Sequence, residues 1–293
     1  MPESRALQPY GGGVGHHLAE FLAPDGYTQP RFCALARELA FGAEVGRASW
    51  DVLASCRARR AVPWTARGQA SPAEPVLLVP GFLAGDYTLR ALGRQLRAEG
   101  FRTYRSRIRT NVSCLVTNAA LLERRLEEIA ARRGTRVWMV GHSLGGMLAR
   151  GLAVRRPDLV AGIVTMGSPM MAPGTAHPVL LTAADLLVRL SRAGVPGLMS
   201  EDCVAGSCAR QAWEESRMPL SADVGFTTLY SRGDGLVDWR SCIDPLARAV
   251  EVRASHLGLA IDPVVARTVV AELRLQRDRR PAVDYQRSKS IAE

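Results

Sequence analysis

The 293-residue sequence has almost no lysine, since Lys289 is the only one among 38 basic residues. Arginine therefore supplies the positive charge, which against 28 acidic residues gives a formal net charge of +10. Such an excess could attract phosphates or an anionic membrane surface. The arginines are scattered, however, and no nucleic-acid recognition motif accompanies them. We therefore expect no nucleic-acid partner and only weak peripheral contact with a membrane.

The sequence also lacks any uninterrupted apolar run near the roughly 18 residues that a membrane-spanning helix needs. Residues 1–15 contain a glycine run and two prolines but no apolar segment of the kind found in secretory signals. We therefore expect a cytoplasmic protein. Hydrophobic residues make up 47% of the chain, enough for a sizeable core, which argues against wholesale disorder.

The six cysteines show neither Cys-x-x-Cys spacing nor an accompanying pair of histidines, so the sequence predicts no metal site. No organic cofactor is expected either. Without a secretory signal, reduced thiols are the default state. Cys203 and Cys208 lie close together in a predicted loop, which leaves a disulfide bond between them open.

Composition divides the chain into three parts. Residues 1–73 carry apolar residues at helical spacing and form a predicted helical N-terminal extension. Residues 74–275 alternate strand and helix patterns. Residues 276–293 are charged and lack periodicity, so we expect this C-terminal tail to fray.

The central part predicts an α/β fold with a mostly parallel, doubly wound sheet. Its strands are predicted at residues 75–79, 101–108, 136–140, 161–166, 226–230 and 249–254. Helices are predicted between them and at the end, at residues 87–99, 115–133, 144–156 and 263–275. Neighbouring parallel strands must be joined by crossover connections, usually helices, which explains why strand and helix patterns alternate. About residues 170–224 form a long insertion, which we interpret as a helical cap or lid over the ligand-binding edge.

The motif Gly-His-Ser-Leu-Gly at residues 141–145 directly follows the third strand and opens a helix. In Gly-x-Ser-x-Gly the serine occupies a sharp strand-to-helix turn, with glycines where side chains would clash. Its hydroxyl is then exposed at the sheet edge, near the positive end of the helix. The pattern predicts that Ser143 is a nucleophile. A glycine-rich turn with an inert serine is the alternative.

A serine nucleophile needs a base to take its proton and an acid to orient that base. His256 follows the sixth strand and Asp234 the fifth, which gives the chain order expected for this architecture. We therefore predict His256 as the base, with a structural histidine as the alternative. Asp234 is the preferred acid because it falls in the first turn after its strand, while Asp238 and then Asp244 are the other candidates.

Backbone N–H groups must also face the charge that develops on the substrate oxygen. One is expected from Leu144, the residue after the nucleophile. The other is expected from the loop after the first strand, where Gly81 permits a close turn and Phe82 offers its N–H. Leu83 is the other candidate donor, and a plain turn with a core phenylalanine is the alternative for this loop.

Five motifs in this order resemble the α/β-hydrolase superfamily and, within it, small bacterial triacylglycerol lipases and esterases. They are Pro80-Gly-Phe-Leu, Gly141-His-Ser-Leu-Gly-Gly, Gly167-Ser-Pro, Tyr230-Ser-Arg-Gly-Asp and Ser255-His-Leu-Gly-Leu. The resemblance covers about residues 74–275. It implies a serine hydrolase of carboxylic esters with Ser143 as nucleophile, His256 as base and Asp234 as acid. It also implies that Phe82 and Leu144 form the oxyanion hole.

Two features depart from that family's pattern. Pro80-Gly81 stands where many members carry His-Gly, and the first seventy residues are helical where many relatives begin with a β-hairpin. The sequence favours an esterase or lipase that acts on a small-molecule or lipid ester through an acyl-enzyme. An acyltransferase or thioesterase on the same triad is the main alternative. A non-catalytic protein that binds a membrane or a macromolecule is the other.

Overall fold

A six-stranded parallel sheet lies at the centre of the computed structural model, which describes residues 18–61 and 73–279. Its strands are β1 (Pro75–Val79), β2 (Arg102–Arg105), β3 (Val137–His142), β4 (Val160–Met166), β5 (Gly225–Tyr230) and β6 (Arg248–Glu251). They pair in the order β2-β1-β3-β4-β5-β6. The predicted α/β class is therefore confirmed.

Helices cover both faces of this sheet. They are α1 (Ala40–Ala61), α2 (Arg90–Ala98), α3 (Leu115–Arg133), α4 (Leu144–Arg155), α5 (Pro178–Arg192), α6 (Asp202–Ala205), α7 (Ser207–Arg217) and α8 (Pro263–Asp278). On one face α2 and α8 pack against alternate strand residues such as Val76 and Leu78. On the other face α3 and α4 pack against Leu77 and Val79. Burial on both faces explains why the central strands β1, β3 and β4 are mostly apolar along their whole length.

The observed element ends differ from the predicted ones mainly at the sheet edges. β1 and α3 have the predicted bounds, but β2 and β6 are shorter than residues 101–108 and 249–254, because each is an edge strand with a partner on one side. In contrast, α8 continues past residue 275. Gln276 is buried there, and its Nε2 donates to the carbonyl of Ile163 at 3.2 Å and to Oγ1 of Thr227 at 2.8 Å. The rest of the predicted tail lies outside the described residues.

The predicted insertion, residues 170–224, folds as a short 3-10 turn at Pro173–Thr175 followed by α5, α6 and α7. It forms a hydrophobic cluster of its own, which includes Val188, Met199 and Val204. Phe82, in the loop after β1, packs against that cluster. The insertion therefore lies over the carboxyl edge of the sheet, where parallel α/β folds bind ligands.

The described part of the predicted N-terminal extension is helical, as expected. A 3-10 helix at Phe32–Leu39 runs directly into α1. Asp262, which caps the start of α8, ties α1 to the sheet domain, since its Oδ2 accepts hydrogen bonds from Nε and Nη2 of Arg47 at 3.0 and 2.5 Å. Residues 1–17 and 62–72 lie outside the described residues. No helix in the described ranges is long and apolar enough to cross a membrane.

Candidate active site

Ser143 occupies the turn between β3 and α4 with φ 52° and ψ −124°, a conformation that residues other than glycine rarely adopt. Its N–H donates to the carbonyl of Met166 at 2.8 Å. Side chains on the flanking glycines would clash, because a Cβ on Gly141 would lie 2.5 Å from the carbonyl oxygen of Gly145. A Cβ on Gly145 would lie 2.2 Å from that of Val79. The surrounding backbone therefore fixes the strained turn that the motif predicts.

Asp234 and His256 form a buried hydrogen-bonded pair at the carboxyl edge. Nδ1 of His256 lies 2.6 Å from Oδ2 of Asp234. The other carboxylate oxygen accepts from the N–H groups of Leu236 and Val237 at 2.9 and 2.8 Å, which fixes its orientation. Because an ionised carboxylate only accepts, Nδ1 carries the proton and Nε2 is the ring atom that can accept another.

Opposing effects act on the pKa of His256. Burial lowers this pKa, whereas the charge of Asp234, its hydrogen bond and the charge of Glu38 raise it, and the net result is a raised pKa. A raised pKa strengthens the imidazole as a proton acceptor.

Ser143 lies beside this pair. Nε2 of His142, the preceding residue, is 2.9 Å from the carbonyl oxygen of His256, and the two rings are 4.9 Å apart. In the described part of the chain, the Ser143 hydroxyl makes no hydrogen bond to His256. Catalytic hydrogen bonds are often long without substrate. The structure thus joins Asp234 to His256 and brings Ser143 to the adjacent turn.

The other two candidate acids have different partners. Asp238 caps the 3-10 helix at Trp239–Cys242, where its Oδ1 accepts from the N–H of Arg240 at 3.1 Å. Its Oδ2 accepts from the N–H of Thr28 at 3.3 Å. Asp244 faces the buried Arg150, with 3.5 Å between Oδ2 and Nε. Geometry therefore favours Asp234 as the partner of His256.

The loop after β1 has one backbone donor already in use. The N–H of Leu83 donates to the carbonyl of Asn111 at 3.1 Å. The Asn111 side chain in turn donates to the carbonyl of Pro80 at 2.9 Å and accepts from Nδ2 of Asn118 at 2.9 Å. Leu83 is therefore excluded as an oxyanion donor in this conformation, which leaves Phe82 as the candidate in this loop.

An apolar cavity of about 140 Å³ opens beside Ser143. Phe82 and Leu144 lie in its wall, and Leu144 is the first residue of α4, so its N–H has no acceptor within the helix. Most of the remaining walls come from the insertion and from the N-terminal segment, with Leu18, Leu22, Leu181, Ala184, Met199, Val204 and Trp213 among them. The helices and loops around the sheet contribute Leu115, Met147, Pro169 and Val237. Walls of this kind suit an apolar part of a ligand.

A family model described as the alpha/beta hydrolase fold matches residues 119–192. Among solved structures, the mature form of lipase BlEst2 from Bacillus licheniformis is 16% identical with a TM-score of 0.55. That match covers 73% of this chain and 96% of the lipase chain. The propeptide form of the same lipase is 16% identical with a TM-score of 0.54, over 70% of this chain and 51% of that one. Together with the parallel sheet, these matches show that the chain has the α/β-hydrolase fold.

The N-terminal extension contacts both turns that carry the Asp–His pair. Oε1 of Glu38 accepts from the N–H groups of Gly235 and His256, both at 2.9 Å. Oε2 of Glu38 accepts from the N–H of Leu257 at 3.1 Å. One carboxylate therefore bridges the turn after Asp234 and the turn that contains His256.

A second carboxylate from the extension holds the residue before the histidine. Glu44 is only 1% exposed, and its Oε1 accepts from the N–H of Ser255 at 2.7 Å. Its Oε2 accepts from the Ser255 hydroxyl at 2.5 Å. Neither Glu38 nor Glu44 could be predicted as a site residue, because no local pattern links a helical glutamate to a turn some two hundred residues later. They are two of only three acidic residues in the segment 32–61, and that scarcity was the only signal.

Proposed function

We propose that this α/β-hydrolase is an esterase or lipase that cleaves carboxylic esters with an apolar acyl group. The observation that carries the proposal is the buried Asp234–His256 pair beside the strained turn of Ser143, at the mouth of an apolar cavity. Each of the three residue types has a defined task in acyl transfer, which supports the proposal.

In the first half of the proposed reaction, Nε2 of His256 accepts the proton of Ser143 while Oγ attacks the ester carbonyl carbon. The resulting oxyanion accepts hydrogen bonds from the N–H groups of Phe82 and Leu144. Asp234 stabilises the imidazolium without taking its proton. His256 then protonates the leaving alcohol oxygen as the carbon–oxygen bond breaks, which leaves an acyl group on Ser143.

In the second half, water enters and His256 accepts one of its protons as the oxygen attacks the acyl carbon. The same two N–H groups hold the second oxyanion. When that intermediate collapses, His256 returns the proton to Oγ of Ser143 and the carboxylic acid leaves. The atoms balance without a metal or an organic cofactor, so every step uses side chains and backbone of this chain.

The cavity supports an acyl group of moderate length as the substrate class. Few of its wall residues besides Ser143 are polar. A hydrocarbon chain that enters the cavity therefore removes apolar surface from water and covers few polar groups. Glu38 and Glu44 position the turns of the Asp–His pair in this proposal, since neither residue lines the cavity.

Ser143→Ala tests the proposal. We expect the variant to fold and to lose hydrolysis of p-nitrophenyl esters and labelling by a fluorophosphonate probe. Ser221→Ala, at an exposed serine distant from the turn of Ser143, is the matched control and should keep both. Full ester hydrolysis by Ser143→Ala would contradict the proposal. Competing alcohols and acyl thioesters in the same assay distinguish hydrolysis from acyl transfer and thioesterase activity.

A further inference from the structure

Three cysteine sulfurs converge beside the cavity. The Sγ atoms of Cys114, Cys203 and Cys208 all lie within 4.8 Å of one another, and those of Cys114 and Cys208 are 3.4 Å apart. All three are free thiols, so the disulfide left open for Cys203 and Cys208 is not formed. Cys114 immediately precedes α3 of the sheet domain, whereas the other two belong to α6 and α7 of the insertion. The cluster therefore joins two parts of the fold.

The spacing fits ligands that share one ion. A disulfide bond would bring two sulfurs to about 2.05 Å. Thiolates bound to one tetrahedral ion, with metal–sulfur bonds of about 2.3 Å, lie about 3.8 Å apart. The Sγ atoms of Cys114 and Cys208, 3.4 Å apart, are near that second value, and all three sulfur pairs lie within 4.8 Å. Small side-chain adjustments would bring all three sulfurs to one centre.

The backbone around the cluster favours thiolates, which are the form that binds metal ions. Cys114 is the N-cap residue of the 19-residue α3, and Cys208 lies in the first turn of the 11-residue α7. The positive end of α3 therefore lies at Cys114. The start of α7 is capped by a carboxylate instead, because Oδ2 of Asp202 accepts from the N–H of Cys208 at 3.1 Å.

We propose that Cys114, Cys203 and Cys208 together bind one thiophilic d10 cation, of the class of Zn²⁺ or Cu⁺. Sulfur ligands select such ions over Mg²⁺ and Ca²⁺, which prefer oxygen. Binding replaces thiol protons by the ion and releases those protons to solvent. The linear spacing of these cysteines contains no ligand motif, because Cys114 is 94 residues from Cys208, and the sequence alone therefore predicted no metal site.

The bound ion would fasten the insertion to the sheet domain at the wall of the cavity. Cys203 and Leu115, the residue after Cys114, both line that cavity. The ion therefore acts on the shape of the cavity and on stability, and none of its three ligands belongs to the Ser143, Asp234 and His256 group. This inference is independent of the proposed ester hydrolysis, and its test needs no substrate.

The experiment titrates the reduced, metal-free full-length chain with Cd²⁺, whose thiolate complexes absorb by charge transfer in the ultraviolet. We expect the absorption to saturate at one ion per chain and the bound ion to protect three thiols from a thiol-counting reagent. Separate arms add Zn²⁺ or Cu⁺, and the ion that displaces Cd²⁺ at lower concentration identifies the preferred metal. Cys203→Ser should weaken binding by roughly 100-fold or more, since even loss of an indirect partner of a ligand costs up to that factor.

Cys33→Ser is the matched control, because Cys33 is an exposed thiol outside the cluster, and it should bind as the wild type does. If Cys203→Ser does not fold by circular dichroism, Cys114→Ser replaces it, at the partly exposed member of the cluster. The absence of a saturable charge-transfer band in the wild type would overturn the proposal. An equally strong band in the ligand variant would also overturn it, because the ion would then be bound elsewhere.

Discussion

The side chain of His142 gives a sharp prediction about pH and stability. This imidazole is 5% exposed, its Nε2 lies 2.9 Å from the carbonyl oxygen of His256, and Nδ1 has no hydrogen-bond partner in the described ranges. Burial, and next the charge of His256, lower the pKa of His142 from 6.5 to about 3, against a smaller raising effect of the hydrogen bond. His142→Gln keeps an N–H for the same carbonyl but removes the titration.

The direction of the pH dependence of stability follows from the pH at which the folded and the unfolded chain each bind the proton. The unfolded chain protonates this histidine as the pH falls through about 6.5, whereas the folded chain resists protonation until its pKa of about 3. Stability from the neutral ring is therefore complete above the unfolded pKa and is lost as the pH falls toward the folded one. Between about pH 7.5 and pH 5 the loss is about 2 kcal/mol. That value depends little on the folded pKa, provided it lies well below 5.

Urea unfolding of the wild type and of His142→Gln at both pH values checks this prediction. We expect the free energy of unfolding to fall by about 2 kcal/mol more in the wild type than in the variant. The pKa of His256 is raised, so its own contribution has the opposite sign and is lost as the pH rises, but it is present in both proteins and cancels to first order. Equal pH dependence in both proteins would refute the reasoning, since the ring would then not be held neutral.

Further substitutions test the proposed site. Asp234→Asn should lower kcat for p-nitrophenyl esters by about 10⁴-fold, because the imidazolium loses its stabilising charge. Asp238→Asn is the control and should leave kcat near the wild-type value. Similar losses in both variants would reject Asp234 as the acid. Glu38→Gln should move the acid limb of the kcat/KM profile to lower pH, because loss of the negative charge lowers the pKa of His256. The same variant should lose at most about 1 kcal/mol of stability in urea unfolding, because the exposed N–H of Leu257 exchanges its carboxylate acceptor for water. If the acid limb does not move, the charge of Glu38 does not raise the pKa of His256. Ala184→Trp should reduce hydrolysis of long-chain esters by roughly 10-fold or more and spare acetate esters, because the indole occupies the cavity; an unchanged chain-length profile would place the acyl group elsewhere.

The sequence alone determined the order of the elements and the identity of the turns that meet at one edge of the sheet. Apolar runs and helical spacing are local properties, so β1 and α3 could be predicted to the residue. The turn of Ser143 could also be predicted, since glycines at 141 and 145 are needed wherever a strand bends so sharply into a helix. The positions of Asp234 and His256 after the fifth and sixth strands followed from the same alternation.

Only the tertiary structure decided which neighbours each of these residues has. Asp238 follows Asp234 by only four residues, yet its side chain caps a 3-10 helix while that of Asp234 contacts His256. Glu38 contacts the N–H of His256 across 218 positions of the chain. Cys114 meets Cys208 across 94 positions. Contacts at such separations depend on how helices settle on the sheet, and no local periodicity or turn signal carries that information.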